Sequence, residues 1–477
     1  MIELDLRRVA EFGGGRLLPC HGSTLGDVDC GDILVTGSVE TDSRLVRPGA
    51  LFVAKPGEVT DGHNFLQQAK DFGAVAAVVE REIPEVELPQ ILVADAVAAL
   101  GKLAKAVLAL VREETALKVI GITGSNGKTT TKNMLRTILE QVGPTVAPIE
   151  SYNNEVGAPI SVLKIDRQTK FLVAELGAGG PGSIAYLTDI VRPDIAIELK
   201  VGLAHAGEFG GLETTAKIKA ELLVGSAPST LAVLNADDVA VRAMAEDFAG
   251  PKLWFGTGED AQYRADNYSL SLAGTAFDLH WPDGAVNRVT LQILGEHHVM
   301  NALAASAVCD SLGVPRIQIV AALESMPLAE RWRMQLTHRA DGVSIINDAY
   351  NASPDSSRAA MQTLAQLGRQ TGRRTVAVIG EMAELGQFSR EEHDKLGRLA
   401  VRLNIDQLVA VGPGAKLVHM GASFEGSFDG ESQYFESLDE ALTGVREMLR
   451  GGDIVLIKSS KSANLRHLGD QLAEAKA

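Results

Sequence analysis

The sequence predicts an α/β protein of three domains, with a mainly parallel sheet in the middle one, and three observations lead there. Apolar, β-rich runs at 51–54, 74–79, 118–123, 171–174, 375–379, 407–411 and 454–457 have the unbroken hydrophobicity of strands buried on both faces. Helical patterns such as 94–111 and 128–142 lie between them, and strand–helix–strand alternation over hundreds of residues builds parallel sheets. A chain of 477 residues also exceeds what one hydrophobic core supports.

Two breaks divide the chain. The charged stretch 112–114 ends a long Ala/Leu/Val helix, and Pro327 marks a second break near 325–329. The domains expected are therefore 1–114, 115–325 and 326–477. A β-rich patch over 263–294, with a turn at 282–284, is assigned to the middle one.

Composition narrows the function classes. Lys+Arg 45 against Asp+Glu 61 leaves −16, which disfavours nonspecific nucleic-acid binding but not an anionic ligand held by local backbone N–H groups. Cys20, Cys30 and Cys309 match no zinc or redox spacing, and no disulfide framework is expected. The first ten residues carry Glu3, Asp5, Arg7 and Arg8, so no signal peptide is read there. No apolar run reaches the roughly 18 residues a bilayer crossing needs, and the cytoplasm is the expected location.

The most informative segment is Lys118-Val-Ile-Gly-Ile-Thr-Gly-Ser-Asn-Gly-Lys-Thr-Thr130. A strand ending at Thr123 turns through Gly124, Ser125, Asn126 and Gly127 into a helix that opens at Lys128. Glycine allows the positive φ and close backbone approach of such a turn, and its N–H groups with the helix dipole attract an anion. Lys128 reaches outer phosphates, and the hydroxyl of Thr129, followed by Thr130, suits Mg²⁺. The strict P-loop pattern wants glycine where Ile122 stands, so this is the shorter Thr-Gly-x-x-Gly-Lys-Thr form. It marks a nucleotide site without choosing among GTPases, kinases, motors and ligases.

Other residues carry weaker signals. Ser43 and Arg44 offer donors in a loop before a buried strand, which suits a uracil edge or diphosphate. Asn153 and Asn154 can hydrogen-bond amides or simply make a turn. Glu175 ends an apolar strand at the mouth of the sheet, where a hard metal needs oxygen.

Taken in order along nearly the whole chain, these segments resemble the Mur ligase family, and within it the members that extend a UDP-linked muramoyl tripeptide. The segments are Thr41-Asp-Ser-Arg-Leu-Val-Arg-Pro-Gly49 with Asp61-Gly-His63, the phosphate turn, Tyr152-Asn-Asn-Glu-Val-Gly-Ala-Pro159, Ala204-His-Ala-Gly-Glu-Phe-Gly210, Ala216-Lys-Ile-Lys-Ala-Glu221, Gly295-Glu-His-His-Val-Met-Asn301, Asn347-Asp-Ala-Tyr-Asn-Ala-Ser-Pro354, Gly380-Glu-Met-Ala-Glu-Leu-Gly386 and Lys458-Ser-Ser-Lys-Ser462. The resemblance implies a small UDP-binding N-terminal domain, a central P-loop-type ATP domain and a Rossmann-like C-terminal domain. It implies an ATP-dependent ligase joining UDP-N-acetylmuramoyl tripeptide to D-alanyl-D-alanine through an acyl phosphate, as a monomer, with two Mg²⁺ ions.

The roles it implies follow the motifs. Thr129, Glu175, His205 and Lys219 hold metal, Lys219 as a carbamate; Lys217 competes, but Leu222-Leu223 sets the register on Lys219. Lys128 and Arg333 meet the phosphates, with Arg331 a near alternative. Asn301 reads the adenine edge, Asp348 faces the nucleotide, and Tyr350 and Asn351 face the peptide substrates beside Asn153 and Asn154. Ser43 and Arg44 take the uridine diphosphate. Five positions depart from the family pattern: Lys200 for Asn, His298 for Asn, Asn347 for Asp, Ser353 for Asn and Ser459 for Gly.

Overall fold

The computed structural model describes residues 1–19, 29–57, 60–148, 151–204, 206–326, 331–426 and 431–474. Three α/β units follow one another along the chain. The first carries a five-stranded sheet in the order Arg16–Leu17, Gln90–Leu92, Ala76–Val79, Leu51–Val53, Val39–Glu40. Its predicted strands at 51–54 and 74–79 both appear, paired in parallel with Leu51 opposite Ala76.

The helix Ala96–Glu114 leads into the second unit. Asp95 caps it, accepting from the N–H groups of Val97 and Ala98. Residues 112–114, read as a break, form the helix's last turn, because Arg112 is anchored on the Asp194 carboxylate and the Arg192 carbonyl. The chain leaves the helix only at Thr115.

The second unit holds a nine-stranded sheet in the order Val286–Leu291, Gly274–His280, Tyr263–Ser271, Lys252–Gly256, Leu231–Asn235, Ile195–Glu198, Lys118–Thr123, Phe171–Glu175, Thr145–Val146. The last seven strands of that order run parallel, and the β-rich patch over 263–294 is its antiparallel end. Ile122 lies inside the central strand, fully buried between Glu175 and Ile197, so the position where a P-loop glycine is missing belongs to the sheet.

The third unit has six strands in the order Gln335–His338, Ser344–Asp348, Ile454–Lys458, Thr375–Ile379, Gln407–Val411, Ser432–Phe435. All but the first pairing are parallel. The second predicted break, near 325–329, lies mostly outside the described residues. No described helix is long and apolar enough to cross a membrane.

One face of the middle sheet packs Ile120, Ile122, Val173 and Ile197 into a core that runs on into the third unit, and the other packs Val119, Leu172 and Ala196 toward the first. The cysteines need one correction: Cys30 is disulfide-bonded, while Cys309 is a buried free thiol.

The antiparallel end is held by apolar packing. Phe277 is fully buried there, and Phe277→Ala is expected to cost about 3–5 kcal/mol, read as a lower denaturant midpoint with unchanged slope.

Candidate active site

The phosphate turn sits where the three central strands Ile195–Glu198, Lys118–Thr123 and Phe171–Glu175 end together. Gly124 and Gly127 have φ of 146° and 89°, and a side chain on Gly127 would collide with Asn301. Both glycines are therefore required by conformation and by space. Gly127 passes directly into the helix Lys128–Leu139, so the first N–H groups of that helix face the turn. Ser125 ties the turn to the next loop: its N–H donates to the Lys200 carbonyl at 2.7 Å, and its hydroxyl accepts from the Gly202 N–H at 2.8 Å.

A cavity of about 360 Å³ opens over this turn. Ser125, Asn126, Gly127, Lys128, Thr129 and Thr130 line its floor, and Asn153, Asn154, Glu175, Lys219 and Asn301 line its walls. Arg333, Asp348, Tyr350 and Asn351 reach it from the third unit. All but four of the predicted site residues that lie among the described residues thus converge on one space.

Of those four, Thr123 is buried beneath the turn and donates its hydroxyl to the Leu176 carbonyl, while Gly124 accepts from Lys128 Nζ at 2.7 Å. Ser43 and Arg44 lie in the first unit, away from this cavity. There Ser43 Oγ donates to Gln68 Oε1 at 2.7 Å, and the largely exposed Arg44 folds onto Asp42. His63, in the neighbouring motif, has both ring nitrogens engaged, by Asp61 at 2.7 Å and by the Glu80 N–H at 2.9 Å, so it braces the fold. His205 lies outside the described residues.

Oxygen atoms cluster on one side of the cavity. Thr129 Oγ1 is 3.3 Å from Ser151 Oγ and 3.4 Å from Glu175 Oε1, to which Asn153 Nδ2 donates at 2.9 Å. Glu175 Oε2 is buried without a hydrogen-bond partner. A buried carboxylate oxygen left unsatisfied beside two hydroxyls is a hard donor set, and it fits Mg²⁺.

Cations occupy the other side. Burial lowers the Lys128 pKa, partly opposed by Glu175 and reinforced by Arg333. Burial also brings Lys219 down to about 7, with Lys128 pushing the same way and Glu198 opposing. Arg333 Nη2 sits 3.4 Å from both Thr129 Oγ1 and Ser151 Oγ, and its guanidinium stacks 4.2 Å over the Tyr350 ring. Asp348 is held from two sides, by Lys458 Nζ at 2.6 Å and by the Met334 N–H at 3.0 Å.

Two groups, Glu198 and Ser151, escape a reading by motif, while Lys458 and His298 stand in motifs that gave them no role. Lys458 ends an apolar strand and lines the cavity, a placement that follows from strand-end position as it does for Glu175. Glu198 also ends a strand; it is fully buried, neither carboxylate oxygen has a hydrogen-bond partner, and burial raises its pKa well above the usual range against the pull of Lys219. Ser151 stands in a stretch with no motif signal. His298 Nδ1 lies 3.3 Å from Asn301 Nδ2, and burial keeps this imidazole neutral.

A phosphate-gripping turn, a hard oxygen cluster and an arginine brought from a separate unit together define a nucleotide-dependent ligase of modular α/β build. The family comparisons agree, matching a Mur ligase middle domain at residues 122–309, a Mur ligase glutamate ligase domain at 332–461 and a Mur ligase family catalytic domain at 36–107. The chain belongs to the Mur ligase family. Among its relatives, the UDP-N-acetylmuramoyl-tripeptide–D-alanyl-D-alanine ligase of Mycobacterium tuberculosis is 42% identical, with 99% of this chain and 98% of that one covered, so every motif above falls within the match. A crystal structure of MurF from Acinetobacter baumannii superposes with a TM-score of 0.87 at 33% identity over 99% of both chains. MurF of Thermotoga maritima, solved in complex with ADP, superposes at 0.80 with 28% identity, covering 92% of this chain and 98% of that one.

The electrostatics of Lys219 have a measurable consequence. Below about pH 7 folded and unfolded chains both carry the proton, and folding bears the full cost of burying the ammonium. Between about 7 and the ordinary lysine value of 10.5, the unfolded chain binds more protons, so stability rises with pH across that window. In CO₂-free buffer, urea unfolding should show wild type gaining on Lys219→Met from about pH 7 to about pH 9. A constant difference would mean that the amine titrates normally.

Proposed function

We propose that this protein is an ATP-dependent carboxylate–amine ligase that adds D-alanyl-D-alanine to UDP-N-acetylmuramoyl tripeptide in the cytoplasm, a step of peptidoglycan precursor synthesis. The observation that carries the reading is the single cavity in which the phosphate turn of the second unit meets Arg333, Asp348, Tyr350 and Asn351 of the third. A carboxylate must be activated before an amine can displace its oxygen, and such an arrangement brings the triphosphate and both peptide partners to one place.

The residues divide the work as follows. Gly124–Thr129 backbone groups and Lys128 grip the outer phosphates, and Asn301, next to Gly127, takes the adenine edge. Thr129, Glu175, His205 and a carbamylated Lys219 hold two Mg²⁺ ions, which when bound offset the negative charge crowded among phosphates and carboxylates. Carbamylation is supported by the lowered pKa of Lys219, which leaves a share of neutral amine near pH 7 to add to CO₂. Arg333 follows the γ-phosphoryl group, as an arginine clamp does. Asn153, Asn154, Tyr350 and Asn351 hold the peptide partners, and Ser43 and Arg44 the uridine diphosphate.

The chemistry has two displacements. A terminal carboxylate oxygen of the tripeptide attacks the γ-phosphorus, forming an acyl phosphate and releasing ADP. The dipeptide amine then attacks the acyl carbon, phosphate leaves, and the nitrogen sheds a proton to give the amide. We assign UDP-sugar binding to residues 1–114, ATP binding to 115–325 and the closing unit to 326–477, in a monomer.

Phosphate release from ATP tests the reading. It is expected only with both UDP-N-acetylmuramoyl tripeptide and D-alanyl-D-alanine present; release with neither would instead make this a regulatory ATPase. Lys219→Ala is expected to lose about 10²- to 10³-fold in kcat. Stripping CO₂ should slow the wild type and bicarbonate should restore it, whereas indifference to both would remove the carbamate.

A further inference from the structure

Arg333 is presented by an unusual piece of backbone. The residues on either side of it, Trp332 and Met334, both have left-handed φ, 64° and 49°, although neither is glycine. Bulky side chains adopt that region only when their surroundings impose it. The Met334 N–H donates to Asp348 at 3.0 Å, and the Trp332 carbonyl accepts from the Tyr350 N–H at 3.1 Å. Those bonds fix the turn to the strand beneath it but leave the indole to be anchored by other groups.

The anchor comes from the helix Leu465–Glu474, over a hundred residues further along the chain. Trp332 Nε1 donates to both carboxylate oxygens of Asp470 at 3.0 Å. Arg331 Nη2 donates to the same carboxylate at 2.9 Å and stacks its guanidinium 4.6 Å over the indole, while Arg466 covers the ring at 5.5 Å and His467 meets it edge-on at 5.9 Å. Asn347 completes the set: its Nδ2 donates to the Arg466 carbonyl at 2.9 Å and to Asp470 Oδ1 at 3.3 Å. A carboxylate at position 347 would face Asp470 with like charge, so this departure from the family pattern and the acid on the last helix belong together.

We propose that Asp470 is a positioning residue for Arg333, pinning the indole of Trp332 so that the left-handed turn aims the guanidinium at Thr129 and Ser151. The inference rests on the reading of Arg333 as the phosphate-facing cation. Asp470 lines no part of the cavity and touches no group assigned to substrate, so it acts on the aim of the arginine and not on binding.

The test is steady-state kinetics on the full-length protein with three single variants, one double variant and Arg333→Ala as reference. Asp470→Ala and Trp332→Phe, which keeps the ring but loses its N–H, are each expected to lower kcat about 10- to 100-fold. KM for ATP and for the UDP-linked substrate should stay within about threefold, because no contact to either is removed. Asp470→Asn, which retains an oxygen for the indole, should be milder than Asp470→Ala. The double variant Trp332→Phe/Asp470→Ala should be no slower than the slower single, as expected of residues acting in one chain of contacts. Should Asp470→Ala fail to fold by circular dichroism, Trp332→Phe and Asp470→Asn still decide the matter. If Arg333→Ala is crippled while these variants keep kcat within twofold, or if their losses fall on KM or simply multiply, the positioning role is wrong and Arg333 keeps its place. If Arg333→Ala retains full kcat, the reading of Arg333 fails and this inference falls with it.

Discussion

The structure is organised around a concentration of buried positive charge that needs a polyanion to complete it. Lys128, Lys219, Arg333 and Lys458 all line one cavity of about 360 Å³, faced by Glu175 and Asp348. Two unit charges 4 Å apart interact by about 4 kcal/mol at an effective dielectric near 20, so such crowding cannot be ignored by the fold. The pKa directions show how it is met: Arg333 and burial depress Lys128, and burial and Lys128 depress Lys219. Lys458 has a close carboxylate partner in Asp348. Phosphate oxygens would relieve the remaining crowding around Lys128 and Lys219, in the space the glycine turn shares with these cations.

That same charge explains how the third unit meets the second. Among the described residues, polar contacts cross the cavity rim. Ser353 Oγ donates to Asn126 at 3.1 Å, the Gly207 N–H donates to the Glu384 carbonyl at 3.1 Å, and Lys200 pairs with Asp355 at 3.6 Å. The lysine of that pair is about half exposed, and pairs of this kind contribute about 0–1 kcal/mol. On the proposed reading, a nucleotide bridging Lys128 and Arg333 would add attraction between the units and tie closure to occupancy of the phosphate turn.

Local patterns were the legible part of this molecule. The strand, glycine turn and helix of 118–139 could be read directly, because each step depends on residues adjacent in the chain. Glu175 was legible for a related reason: an acid closing an apolar run must emerge at the edge of a parallel sheet. Glu198 closes its strand the same way and escaped notice, and Lys458 was read as the start of a motif without a role, since nothing in their local sequence tells which strands lie beside the phosphate turn. That order is set by pairing between distant segments, such as Glu198 opposite Thr123, and it cannot be read from periodicity. The helix end at 112–114 was misread because a charged triplet looks like a linker until Asp194, eighty residues away, supplies the partner that makes it a helical turn.

The departures from the family pattern carry the last step of the argument, because most of them land where distant parts of the chain touch. Lys200 faces Asp355 and Ser353 faces Asn126, both across the boundary between second and third units. Asn347 faces Asp470 on the last helix, and His298 lies against Asn301 on its own helix while sensing the charge of Arg333. A substitution at one side of such a contact changes charge or hydrogen-bond sense, and an unmatched change of that kind in a buried place costs about 1–3 kcal/mol. At each of these positions the structure supplies a partner for the side chain present. These departures thus fall at contacts that bring the residues proposed to face phosphate and metal into register, and not at those residues themselves.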